Sequence, residues 1–138
     1  MSPRQTSSSA LTFSLDLATG VPAYRQIIDQ VLCAIASGAV HGGDQLPTVR
    51  QVAVDLSINP NTVVRAYREL EIRGVLTTQQ GIGAFITATP VLPDEATRQR
   101  QLDQLVSDVL ARAGAASVTA DELLGRLQEF ITDQRRNS

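Results

Sequence analysis

The chain has no lysine and no tryptophan, only one cysteine and one histidine, and few aromatic residues (two tyrosines, three phenylalanines). A single cysteine excludes an intrachain disulfide. Cys33 and His41 stand apart in sequence, and neither has a third group nearby to orient it. No nucleophile–base pair, phosphate loop or His/Cys metal cluster can be assembled from such a set, so the sequence argues against an enzyme, a metal site or a cofactor site. Cys33 also lacks a basic neighbour to lower its pKa and reads as a small filler residue. No apolar run approaches the roughly 18 residues needed to cross a membrane. The opening MSPRQTSSSALTF lacks the apolar stretch of a secretory signal. It reads as a disordered polar lead-in over residues 1–11, and a cytoplasmic location is expected.

Excess positive charge is also missing. The formal net charge is −2, and from Val21 to Thr87 five arginines (25, 50, 65, 68, 73) face five acids (29, 44, 55, 69, 71). A nucleic-acid partner would have to be held by arginines focused by position, with modest phosphate affinity per subunit. All 12 cationic side chains are arginine, whose fork suits bidentate contact with phosphate or guanine.

What is present is apolar periodicity, with 43% hydrophobic residues in 138. That length supports one domain and a small appendage. Phe13, Leu15 and Leu17 alternate with Ser14 and Asp16, which predicts a short half-buried strand. Tyr24, Ile27, Ile28, Val31, Leu32 and Ile35 follow at helical spacing and predict a helix over 22–37, stopped by Gly38. A loop over 39–46 comes next. Thr48 caps a short helix over 48–56, with Gln51 at capping-box spacing. Ser57 and Ile58 make a turn. Asn59 caps a third helix with Pro60 in its first turn, Val63, Ala66, Tyr67 and Leu70 facing inward, and Gly74 ending it. Two strands, 75–79 and 84–87, flank the glycine-containing turn QQGIG. The expected fold is mostly α with a small β-hairpin wing: a winged helix-turn-helix over 12–89.

After Pro93 the pattern changes. Leu102, Leu105, Val106, Val109 and Leu110 mark an amphipathic helix over 95–113, stopped by Gly114. Thr119 and Glu122 form a second capping box, and Leu123, Leu124, Leu127, Phe130 and Ile131 mark a helix over 120–134. Two such helices cannot bury both apolar faces against each other alone; each needs a further surface, either the winged domain or another subunit. The region 94–136 is expected to use these ten residues for dimerisation.

The candidate functional surface is the outer face of the third helix. In a helix-turn-helix the start of the second helix of the pair meets base edges. Here it offers Asn59, Asn61, Thr62 and Arg65. Asn pairs bidentately with adenine and Arg with guanine. Asn59 is a cap first, which leaves Asn61 free to read. Arg68 serves either DNA or a nearby acid. Thr48 and Arg50 at the start of the preceding helix form a phosphate anchor. The wing tip, with Gln80, Gly81 and Gly83, reaches a neighbouring groove or backbone. The neutral charge count leaves a second reading open, a winged-helix protein-interaction module without sequence-specific DNA binding.

The run LPTVRQVAVDLSINPNTVVRAYRELEIRGVLTTQQGIGAFI, with VPAYRQIIDQV and the GGDQLP loop upstream, resembles the DNA-binding domain of GntR-type bacterial transcription regulators. The PNTVVRAYREL form and the short two-helix tail are most similar to the YtrA-like branch. The resemblance implies a repressor that binds double-stranded operator DNA as a homodimer, with the C-terminal helices pairing across subunits. It implies contacts from Arg50, Asn59, Asn61, Thr62, Arg65, Gly81 and Gly83. Several longer-tailed branches carry basic residues where Pro60 and Val64 stand here, so their operator sequence does not carry over. The residues after Pro93 are too few to enclose a drug-sized pocket alone. Any small-molecule effector is expected between subunits or between tail and DNA-binding domain. Control of neighbouring transporter genes is the target class that the branch implies.

Overall fold

Residues 11–136 are described in a computed structural model of the chain. They divide into two units: residues 11–90 together with 134–136, and Val91–Asp133. Most of the expected lead-in lies outside the described residues. Leu11 does not belong to it, since its side chain is buried in the core of the first unit.

The alternation around Phe13 does not make a strand. Phe13 is buried, Leu15 is half-buried, Leu17 is exposed, and Leu17–Thr19 form a single 3-10 turn capped by Asp16. The segment is extended, but its backbone is satisfied by two glutamine side chains rather than by a neighbouring strand. Gln30 accepts from Ser14 N at 3.0 Å and donates to Ser14 O at 2.7 Å. Gln26 accepts from Asp16 N at 2.8 Å and donates to Asp16 O at 3.0 Å. These paired bonds satisfy backbone groups as a ladder would, and they fix the segment along the first helix.

That helix, α1, spans Ala23–Ser37 and buries Ile27, Ile28, Val31 and Ala34. Gly38 ends it in the left-handed region, as expected of a C-terminal glycine. Ile35, expected on the inner face, is partly exposed, while Ala39 and Val40 in the following loop are buried in its place. Helix α2, Val49–Leu56, starts with Thr48 accepting from Gln51 N at 3.1 Å. The expected box is only half made, because Gln51 Nε2 turns instead to Asp55 Oδ1 at 2.7 Å. Ser57 takes a left-handed conformation (φ 55°) at the turn. Helix α3, Pro60–Ile72, begins with Asn59 Oδ1 accepting from Asn61 N at 2.8 Å. It buries Val63, Ala66, Tyr67 and Leu70, the four residues that its periodicity points inward.

The wing is an antiparallel pair, β1 (Leu76–Gln79) and β2 (Gly83–Ile86), with Leu76 opposite Ile86 and Gln79 opposite Gly83. The preceding loop adds a third edge to it. Gly43 N donates to Ile86 O at 2.8 Å, Ile86 N to Asp44 O at 2.8 Å, and Leu46 N to Ala84 O at 2.9 Å. The residues read as loop therefore fasten the wing to the start of α2. The order helix, helix, helix, hairpin is a winged helix-turn-helix.

The second unit holds α4 (Glu95–Ala115) and most of α5 (Ala120–Arg136). Asp94 caps α4 by accepting from Thr97 N at 2.7 Å, and its hydrogen bonds to Thr97 lower its pKa. Gly114 does not stop α4. The helix runs on to Ala115, and Ser117 takes the positive φ of 60° that ends it. Glycine permits a helix end but does not compel one. The second capping box is complete: Glu122 N donates to Thr119 Oγ1 at 3.1 Å and Thr119 N to Glu122 Oε1 at 3.0 Å. The backbone bond from Thr119 lowers the pKa of Glu122.

Candidate nucleic-acid interface

Helix α3 carries its polar residues on the side opposite the core. Asn61, Arg65 and Arg68 share one surface there, together with Val64, Glu69 and Ile72. Glu69 is drawn to Arg73, whose Nε donates to Glu69 Oε2 at 3.1 Å, the spacing of one helical turn. That pairing leaves the other two arginines without an acid. The side chains of Arg50, at the second residue of α2, and Arg68 make no hydrogen bond or ion pair among the described residues, and both residues are exposed. Arg68 forms no ion pair among the described residues, although Glu71 lines a groove beside it.

Arg65 has a different environment. Its guanidinium carbon lies 3.8 Å from the centroid of the Tyr24 ring, so the side chain stacks on the start of α1. Asn59 is occupied as the cap, with Oδ1 bound to Asn61 N. Thr62 is half-buried at the flank of the face, and Asn61 is exposed near its centre.

A groove of about 270 Å³ runs between the start of α2, the side of α3 and the wing, lined in part by Thr48, Val64, Tyr67, Arg68, Thr78 and Gly83. Its floor is braced by Tyr67, whose hydroxyl donates to Pro47 O at 2.6 Å. Burial pushes the pKa of this phenol well above its ordinary value. The groove joins the outer face of α3 to the wing, and Glu71 lines it beside Arg68. Thr48 stands at its edge, its own hydroxyl engaged by Gln51 N.

At the wing tip, Gln80 and Gly81 are exposed, whereas Gly83 is half-buried. Gly83 has a structural explanation. Its φ is +144°, and an added Cβ would lie 2.7 Å from Gln45 Nε2. The sequence reading missed Ile82, which is 61% exposed between the two glycines, and Val64, which is 36% exposed on the α3 face. Helical arithmetic would have found Val64, because it sits three residues after Asn61 and four before Arg68. It also missed the partnership of Tyr24 with Arg65, for which residues so far apart in sequence give no local signal.

In the second unit, Leu102, Leu105, Val106, Val109, Leu110, Leu124, Leu127 and Phe130 are between 39% and 61% exposed. Leu123 and Ile131 are half-buried. The two helices make no extended contact with each other, so their apolar stripes remain open.

The family model described as bacterial regulatory proteins, gntR family, matches residues 23–86. The HTH-type transcriptional repressor YtrA of Bacillus subtilis is 35% identical over 123 residues, covering 86% of this chain and 92% of that protein. YtrA from Sulfolobus acidocaldarius, a GntR-family transcription factor of known structure, is 30% identical with a TM-score of 0.53, covering 72% of this chain and 97% of that one. A transcriptional regulator from Oenococcus oeni is 31% identical with a TM-score of 0.53, covering 88% and 98%.

Proposed function

The chain belongs to the GntR family of bacterial regulatory proteins, and from that premise we propose that it is a sequence-specific repressor that binds a palindromic operator as a homodimer. The observation that carries this reading is the outer face of α3. Asn61, Arg65 and Arg68 are brought to one surface, with no competing acid on either arginine. Asn61 supplies an amide for an adenine edge, and Arg65 and Arg68 supply forks for guanine or phosphate. Arg50 and the start of α2 anchor the backbone on one side, while Gln80 and Gly81 reach toward it from the wing.

With no net positive charge, one subunit holds DNA weakly. Two linked half-site readers bind far better than one, because the second contact becomes intramolecular. The open apolar stripes of α4 and α5 supply the surface for that link, and an isologous interface would cover both copies at once. Binding at a palindrome in its own promoter region would exclude polymerase, and neighbouring transporter genes are the targets that the YtrA-like form suggests.

Selection of duplexes from a random library by the purified protein tests the reading. Fluorescence anisotropy on the enriched duplex should then show affinity on the order of a thousandfold above random duplex at moderate salt. Enrichment of no motif, or equal affinity for random duplex at every salt concentration, overturns it and favours a protein-interaction module.

A further inference from the structure

Tyr24 is the second residue of α1, outside the helix-turn-helix pair, and its half-buried ring packs against the core. Its position is therefore fixed by the fold. The central carbon of the Arg65 guanidinium lies over it, 3.8 Å from the ring centroid. A cation over an aromatic face is held electrostatically, and such a contact uses none of the guanidinium N–H donors in a hydrogen bond. Arg65 has an acid one turn ahead on its own helix, Glu69, the natural partner for a free arginine at that spacing. Glu69 is instead engaged by Arg73 at 3.1 Å. The ring thus holds the guanidinium while Glu69 is engaged elsewhere, and Arg65 lies on the surface shared with Asn61 and Arg68.

We propose that Tyr24 is a positioning residue for DNA readout: it holds Arg65 in a fixed orientation so that the guanidinium meets the duplex without first being ordered or released from Glu69. The proposal rests on the reading of the α3 face as a DNA-binding surface. An arginine already restricted to one orientation loses less side-chain entropy on binding than a free one. Phenylalanine keeps the ring and its quadrupole, whereas leucine keeps the bulk and removes both.

The test is a double-mutant cycle on the duplex enriched by the wild-type protein, with thermal unfolding of each variant as a check on folding. Arg65→Ala should weaken binding by about tenfold, the loss of one good polar contact. Tyr24→Leu should weaken it by about threefold to fivefold, the scale of an exposed cation–π contact, and Tyr24→Phe should restore it. In the Arg65→Ala background, Tyr24→Leu should add nothing. The side-chain Nε–H resonance of Arg65 in the free protein should carry a ring-current shift that survives Tyr24→Phe and vanishes in Tyr24→Leu. If Tyr24→Leu weakens binding equally with and without Arg65, Tyr24 acts on its own and the proposal falls. It also falls if Tyr24→Leu changes nothing while Arg65→Ala does. Failure of the wild type to prefer any duplex is a different result, which removes the DNA-binding reading and this proposal with it.

Discussion

The hydroxyl of Tyr67 donates to the backbone carbonyl of Pro47 at 2.6 Å, joining the middle of α3 to the residue just before the cap of α2. The bond ties together the two segments that lead to Arg50 and carry Asn61. Removing it with Tyr67→Phe leaves a partly buried carbonyl without its partner and should cost about 1–2 kcal/mol of stability. For a domain of this size that lowers the melting temperature by roughly 4–15 °C, measurable by circular dichroism. The pH dependence has a definite sign. Burial raises the folded pKa of the phenol above its ordinary 10.0, so the stability tied to the neutral hydroxyl is complete below pH 10.0. It is lost as the pH rises past that value, where the unfolded chain releases a proton that the folded one keeps. The wild type should therefore lose stability above pH 10 more steeply than Tyr67→Phe. Parallel alkaline melting curves for the two proteins would refute this account.

The wing tip depends on a similar long-range tie. Gln45 Nε2 donates to Ile82 O at 3.1 Å, and the same side chain occupies the space where a Cβ on Gly83 would go. Gln45→Ala should leave the helices intact and accelerate hydrogen exchange at the wing amides, since a local tie is lost without any core packing. Gly83→Ala should be worse, combining a collision at 2.7 Å with a φ of +144° that a side chain rarely adopts. Adding Gln45→Ala to Gly83→Ala should recover part of the loss by removing the collision, while the backbone strain remains. No recovery in the double variant would show that strain alone decides the site.

These ties explain what could and could not be read from sequence. The caps at Thr48, Asn59 and Thr119 were legible because capping is local, a side chain meeting a backbone amide two or three residues away. The inner face of α3 was legible because Val63, Ala66, Tyr67 and Leu70 repeat with the helix period. The segment at Phe13 misled because its alternation is real, but the partners of its backbone are Gln26 and Gln30 on a helix. The third edge of the wing at Gly43–Leu46 was hidden because its pairing with β2 spans some forty residues and its glycines carry no strand signal. At the candidate site, residue type pointed to Asn61 and Arg65, but the stack of Arg65 on Tyr24 is a tertiary fact. Gly114 was read as a stop because glycine often follows a helix. Here the left-handed residue is Ser117.

Arg50 and Asn61 should fail in different ways when changed. Arg50 projects from the first turn of α2, where a contact to backbone phosphate carries no sequence information. Arg50→Ala should weaken binding to all duplexes alike and reduce the salt slope by about one. Asn61 sits on the exposed face of α3 with its backbone N–H already capped by Asn59, so its side-chain amide is available for a base edge. Asn61→Ala should cost about 1–3 kcal/mol on the enriched duplex and relax the preference at one base pair per half-site. Repeating the selection with each variant gives the readout. A relaxed motif for Arg50→Ala, or an unchanged one for Asn61→Ala, would reverse the two assignments.

The tail supplies the last prediction. Leu105 and Leu127 are more than half exposed on α4 and α5, and an apolar stripe this open is costly to leave in water. If α4 and α5 pair across a two-fold axis, arginine at both positions places like charges in the interface and prevents closure. The Leu105→Arg/Leu127→Arg protein should then sediment as a monomer while its winged domain melts as before. Binding to the palindromic duplex should fall on the order of a hundredfold or more, through loss of the second attachment, with half-site affinity unchanged. Deleting residues 94–138 should do the same. It also removes Arg135, whose Nε donates to Ser37 O at 2.7 Å at the end of α1, so some stability should be lost from the first unit as well. The substituted protein is therefore the cleaner test. If it still sediments as a dimer and keeps full operator affinity, the apolar stripes of α4 and α5 do not join the subunits.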